Sequence, residues 1–330
     1  MIRMKLIYLF VIAPLFVFGQ IFHSNNDIAA RFKTGAPLPD KILSTRSVVL
    51  YSSNLSEKEV SDIHESLSRT GIDAVAYFEI DKVFAGADVE LAFSNYFPSR
   101  EIVCVVIVQK GKEAYKVLVS TLNNNKNLID DDQPAWSTED KSLNEALRVL
   151  YSTALNTYKR QNMLIGDAPE TDLVINVISG RRTEAFASDL KIDKLAVQKF
   201  GDENLDHELE TIMKAYPFKY GLVENTISEP DLRKQGYFYI LRFVNTRGQI
   251  AKQLLGYDVS KAETAIVSIA FANDMVQVKT ISSDVPVFKF YTRQIEFNNV
   301  HLGTKWDADV TWQQALVNFI SGFKREMGIK

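Results

Sequence analysis

Two rhythms of apolar and polar positions alternate along this chain. Runs of strand length are separated by stretches in which apolar residues recur every three or four positions. Ser47-Val48-Val49-Leu50-Tyr51 predicts a buried strand. Val60, Ile63, His64 and Leu67 then share one face of a predicted helix, which Asn54 or Ser56 can cap and Gly71 stops. A second strand is expected at 73–78, a short helix at 87–95 and a third strand at 101–108. Lys110-Gly111-Lys112 predicts a turn into a hairpin partner at 115–120. An Asn/Asp-rich loop follows at 123–132. A long helix is predicted from Ser137 to about Lys159, with Ser137 and Asp140 as a capping box that has Asp in place of Glu. Before all of these, residues 20–45 show no periodicity, and Pro37 and Pro39 suggest an extended arm.

The second half repeats this order. It predicts a strand-like run at 190–200, a helix at 205–216, a strand at 220–223, a short helix at 229–234 capped by Ser228 and a strand at 237–244. A turn at Thr246-Arg247-Gly248-Gln249, strands near 265–271 and 285–297, and an amphipathic helix at 311–326 complete it. The closing helices match best: Trp136 stands ten residues before Ala146-Leu147, and Trp306 nine before Ala315-Leu316. Direct identity between the halves is low, so the order of elements carries the reading of an internal duplication. Composition turns polar around 166–171, which sets a boundary there. The expected fold is α/β of the α+β type. Two tandem similar modules span 46–165 and 166–330, each a mixed sheet with helices packed on it.

The amino terminus has a different pattern. Arg3 and Lys5 precede an apolar run from Leu6 to Phe18, ended by Gly19. That is the layout of a signal peptide over 1–19, and the run is shorter than the roughly 20 residues a membrane span needs. Cleavage and export are expected. No transmembrane anchor should remain after cleavage, although peripheral membrane association is compatible with the sequence.

Composition narrows the function classes. The 330 residues are 46% hydrophobic and 24% charged, which fits a globular chain rather than a disordered one. A net charge of −3 argues against general nucleic-acid binding. One cysteine, Cys104, lies within an apolar strand and rules out an internal disulfide framework. No phosphate-binding glycine loop, nucleophile elbow or zinc helix occurs, so no cofactor and no metal is expected. His64 reads as a packing residue, and His207 lacks the second histidine of a zinc helix.

Three local features remain as candidates. Ser179-Gly180-Arg181-Arg182 offers an anion-binding turn, because paired guanidinium groups beside a glycine suit a phosphate or carboxylate. Trp306 and Trp312 are large apolar side chains close together. They either pack the last helix on its sheet or serve as protein-contact anchors, with Tyr291 and Arg293 extending such a surface. Asp307 and Asp309 precede the last helix, where negative charge meets the helix dipole.

The stretches KILSTRSVVL, GIDAVAYFEIDKVFAG, AYPFKYGL and LGTKWDADVTWQQAL resemble an exported, two-repeat family of Gram-negative bacteria. The resemblance covers nearly the whole chain after residue 19; it implies a periplasmic or outer-envelope location in a Gram-negative bacterium and no activity or site residues. The repeated strand–turn–strand–helix order is weakly similar to the amino-terminal α/β domain of TolB. That likeness implies a module that binds partners, and the β-propeller repeats of TolB are missing. The expected role is a non-enzymatic envelope protein that acts through contacts with an envelope protein partner. Two alternatives stand beside it. One is a hydrolase-type enzyme with a site between the modules, built on Arg181, Arg182, Asp307 and Asp309. The other is an anion or small-ligand sensor.

Overall fold

The computed structural model describes residues 25–123, 127–259, 263–272 and 275–329. The expected signal peptide lies outside the described residues. A 3-10 helix, Asn25–Arg31, opens the first module. It is followed by β1 (Phe32–Thr34), β2 (Arg46–Tyr51), α1 (Glu57–Thr70), β3 (Asp73–Glu79), α2 (Ile80–Val83) and α3 (Ala87–Ser99). Next come β4 (Ile102–Lys110), β5 (Tyr115–Thr121), β6 (Gln133–Asp140) and α4 (Leu143–Thr157). The second module holds β7 (Arg182–Thr183), a 3-10 turn at Ser188–Lys191, β8 (Lys194–Gln198), α5 (Glu203–Met213), β9 (Tyr220–Val223), α6 (Glu229–Lys234) and β10 (Tyr237–Arg247). It closes with α7 (Gly248–Leu254), β11 (Ala265–Ala272), β12 (Met275–Ser282), β13 (Pro286–Gln294), β14 (Val300–His301) and α8 (Trp312–Glu326).

Each module is built on a six-stranded mixed sheet. The orders are β1-β6-β5-β4-β2-β3 and β7-β14-β13-β10-β8-β9. Strand directions agree position by position. The first strand of each core, β2 or β8, lies parallel to both its neighbours. The next two pairings outward are antiparallel in both sheets, and the outermost is parallel. The fold is therefore α/β of the α+β type in two tandem similar modules.

Local chemistry accounts for the clearest elements. Ser56 and Glu59 form a reciprocal capping box at the start of α1, and Gly71, at φ 95°, ends that helix in the left-handed conformation that glycine adopts without a Cβ penalty. In β4, Cys104, Val106 and Val108 face α1 and α4, while Ile102, Val105 and Ile107 face the opposite side. Such double-sided burial explains the nearly continuous apolar run. In the second module, α5 and α8 cover one sheet face. The remaining face of the first sheet meets part of that of the second in one core, which joins α3 and β4 to residues of β10, α7 and β13, while α6 covers the β8–β9 end of the second sheet's face.

Several expectations need correction. Ser137 and Asp140 do not open a helix; they lie in β6, paired with Leu118 and Tyr115 of β5. The helix begins at Leu143, and the Asp140 carboxylate instead accepts from Ser142 N at 2.8 Å. Pairing of 136–140 with β5, with β1 holding 133–135 on the other edge, outweighed the local cap signal. The expected turn at 246–249 leads into α7, and β12 is a strand that the sequence reading omitted. Within the expected extended arm, β1 pairs with β6, and Leu38, Ile42 and Leu43 are buried in the same core as α1 and α4. The expected boundary at 166–171 falls in the segment between α4 and β7. There Glu170 O accepts from Tyr77 N of β3 at 3.0 Å.

Candidate functional site

The modules meet along a seam in which arginines of one face carboxylates of the other. Arg247, at the end of β10, places Nε 2.6 Å from Asp81 Oδ2 and also donates to Glu79. Asp88, in the first turn of α3, is held by the second module alone. Arg242 Nε lies 3.1 Å from its Oδ1, Arg293 Nε donates to its Oδ2 at 3.0 Å, and the Tyr291 hydroxyl donates to the same oxygen at 2.8 Å. Glu229 Oε1 accepts from both arginines. Two cations and two anions thus close a network, buried at Asp88, Arg242 and Arg293 and half-buried at Glu229. Burial pushes the Asp88 carboxyl up, but Arg242 and Arg293 outweigh it and hold the group below its ordinary value. Burial and the Asp88 charge push the Tyr291 hydroxyl well up.

Backbone contact brings the same elements together. Asn245 N donates to Ala85 O at 2.7 Å. Gly86 has φ 148°, and a Cβ there would stand 2.5 Å from the Phe243 carbonyl oxygen. Only glycine permits this approach at the start of α3.

Beside the network lies a cavity of about 180 Å³, which continues into a cleft of about 530 Å³. Its position follows from topology. The β8 strand is joined through α5 to β9 on one side, and β9 through α6 to β10 on the other. The two helices cover opposite faces of the sheet. A crevice forms outside the carboxyl ends of parallel strands where the connections diverge in this way. Gln198, Lys199 and Phe200, at the end of β8, line it together with Asn225 after β9 and Arg242 and Phe243 of β10. The first module supplies the opposite wall, including Arg31, Phe84, Glu90 and Asp131.

Glu90 differs from the other carboxylates of the seam. Its Oε2 is buried without a hydrogen-bond partner. Burial pushes its carboxyl up to about 7, with Arg31 pulling the other way. Arg31 itself donates to Asp131 Oδ1 at 3.2 Å and to Ile129 O.

The residues singled out from sequence lie elsewhere or serve structure. Trp312 is 6% exposed and packs edge-on against Phe200 in the α5–α8 core. Trp306 is half-buried, with its ring 5.2 Å from Tyr257. Tyr291 and Arg293 are 2% and 5% exposed, because both turn inward to Asp88. These four residues do not form an exposed contact surface; the arginine and tyrosine join the modules instead.

At the expected anion-binding turn, Ser179 is exposed and Gly180 sits against the Asn298 backbone. Arg181 is exposed. Arg182 is committed to Leu255 O at 2.6 Å, to Glu184 at 2.8 Å and to the Tyr257 ring. Asp307 is buried against Lys289 Nζ at 2.6 Å, and Asp309 against Lys279 Nζ at 2.6 Å. None of Arg181, Arg182, Asp307 and Asp309 lines the cavity or the cleft. His64 is a packing residue, bonded to the Tyr77 hydroxyl and to Gly166 O.

Sequence reasoning missed Asp88, Glu90, Glu229 and Arg242. Asp88 and Glu90 look like ordinary first-turn acids of a helix, and Arg242 interrupts an otherwise apolar strand. That interruption was the available signal. Among the described residues, no group of three His, Cys, Asp or Glu side chains is placed to hold a metal ion, and no helix is long and apolar enough to cross a membrane. No protein-family model matches the chain, and no curated protein matches its sequence.

Proposed function

We propose that this chain is a non-enzymatic, exported component of a Gram-negative cell envelope that binds or assembles with a protein partner. The β11–β12 ribbon is the observation that carries this reading. It is inserted between β10 and β13, whereas the corresponding strands of the first module, β4 and β5, are joined by a short turn. The ribbon is held from one side. Ile269 N donates to Trp306 O at 2.8 Å, Ser268 Oγ to Ala308 O at 2.5 Å, and Phe271 N to Asn318 Oδ1 at 2.9 Å. On the other side, β12 pairs with β11 alone among the described strands. Met275, Val276 and Val278 are 62%, 49% and 67% exposed.

An open edge rich in Val and Met promotes unwanted pairing unless something covers it, and it offers backbone groups and side-chain pockets to an added strand. The proposed occupant is therefore an extended segment of an envelope protein. The apolar amino-terminal run over 6–18 supports the export part of the reading.

A photo-crosslinking amino acid at position 278, activated in intact cells, tests the contact. One stoichiometric protein adduct is expected, and it should disappear when Val276→Lys charges the same edge. A control probe at Val149, on the outer side of α4, should give none. No adduct at 278, or the same products from both positions, overturns the reading.

A further inference from the structure

We infer that the cavity between the modules is a binding site for a small organic monocation, with an apolar body against Phe84, Phe200 and Phe243 and an ammonium head on Glu90. Glu90 is the starting point. Three carboxylates that the first module sends into the seam meet an arginine of the second: Glu79 and Asp81 take Arg247, and Asp88 takes Arg242 and Arg293. Glu90 is held in the same seam, yet its Oε2 is buried with no donor. Glu90 lines the cavity beside Arg31, whose guanidinium is paired with Asp131.

The surrounding charges favour a cation. Arg31 is matched by Asp131, Lys199 by Glu224, and Arg242 by Asp88 and Glu229. Asp130 adds a further negative group to the lining of the cleft. An incoming anion would meet cations already paired and a carboxylate that repels it. A buried acceptor without a donor costs free energy, and an ammonium or N–H donor relieves that cost.

Size bounds the ligand. A closed apolar cavity of roughly 150 Å³ accepts a benzene ring, and this one measures about 180 Å³. An arylalkyl or short alkyl primary amine fits that space, with the wider cleft left for solvent or a polar extension. None of the lining residues belongs to β11 or β12, so this site and the proposed partner contact stand or fall separately.

Calorimetry on the intact protein at pH 8 tests the inference with three probes of similar shape: 2-phenylethylamine, 2-phenylethanol and phenylacetate. The amine should bind at least tenfold more tightly than the alcohol, and phenylacetate should give no heat. Glu90→Gln should reduce the amine to the affinity of the alcohol. Lowering the pH from 8 to 6 should weaken amine binding in the unaltered protein, as Glu90 gains a proton while the amine keeps its own. The charged groups around Glu90 in that titration are Asp88 on its own helix, Arg31 and Asp131 from the first module, and Lys199, Arg242 and Glu229 from the second. No heat with the amine, equal binding of alcohol and amine, or unchanged amine binding in folded Glu90→Gln overturns the proposal. Should the variant fail to fold, the comparison of amine with alcohol on the unaltered protein decides.

Discussion

Asp88 and Glu90 stand two positions apart on α3 and meet opposite circumstances. Asp88 is surrounded by donors, so removing it leaves Arg242 and Arg293 buried with half their counter-charge. Asp88→Ala should destabilise the protein by about 3–5 kcal/mol in urea unfolding, in the range seen when a buried ion pair loses one member. Glu90 has the reverse sign. Its carboxyl is pushed up to about 7 in the folded chain, against 4.5 for an ordinary glutamate. Folding therefore favours the protonated form. This group's contribution is fully present below pH 4.5 and is lost as pH rises through 7. Glu90→Gln should match the unaltered protein near pH 4 and exceed it at pH 8, by at most roughly 3 kcal/mol. A stability difference that does not change between those pH values would contradict the assigned burial.

At the scale of elements, α1 and the β11–β12 ribbon make contrasting cases. Helix α1 is bound to its sheet through its cap. Glu59 Oε2 accepts from Ser56 N at 2.7 Å, while Oε1 accepts from Lys110 Nζ at 2.8 Å and the Tyr115 hydroxyl at 2.7 Å. Burial pushes the Glu59 carboxyl up, but these donors prevail and lower it to about 2. Its stabilising contribution is present above pH 4.5 and is lost as pH falls towards 2. Ser56→Ala should cost about 1 kcal/mol, read as a shift in the urea midpoint. The ribbon behaves differently because most side chains of β12, Val278 among them, face solvent. Val278→Lys should change stability by less than about 0.5 kcal/mol. Such a variant separates a role in partner contact from a role in folding.

At the scale of the molecule, the seam decides how the protein unfolds. One core contains side chains from both sheets, including Leu50 and Ile107 of the first module and Val244 and Val287 of the second. Tyr291 and Arg293 lock onto Asp88 across it. Both modules should unfold in a single urea transition, with far-ultraviolet circular dichroism and tryptophan fluorescence tracing the same curve. Trp136 reports on the first module, and Trp306 and Trp312 on the second. Two resolved transitions would show that the shared core contributes little. Arg247→Ala removes the cation between Glu79 and Asp81 and should shift the curve to lower urea.

Local pattern carried most of the architecture. Apolar runs marked β2, β3, β4 and β8, helical spacing marked α1, α5 and α8, and the order of these elements pointed to the similar arrangement that the two six-stranded sheets share. Periodicity and capping act over a few residues, so one chain read alone exposes them. Tertiary structure alone settled what these rules cannot reach. It made 133–140 a strand because β5 pairs with 136–140 and β1 with 133–135. It turned Tyr291 and Arg293 inward because Asp88, some two hundred positions earlier, supplies the acceptor. It also created the cavity at Glu90 from two modules whose lining residues are far apart in sequence. A long-range pairing of charge or of backbone leaves no periodic trace in either segment, and its energy exists only once the segments meet.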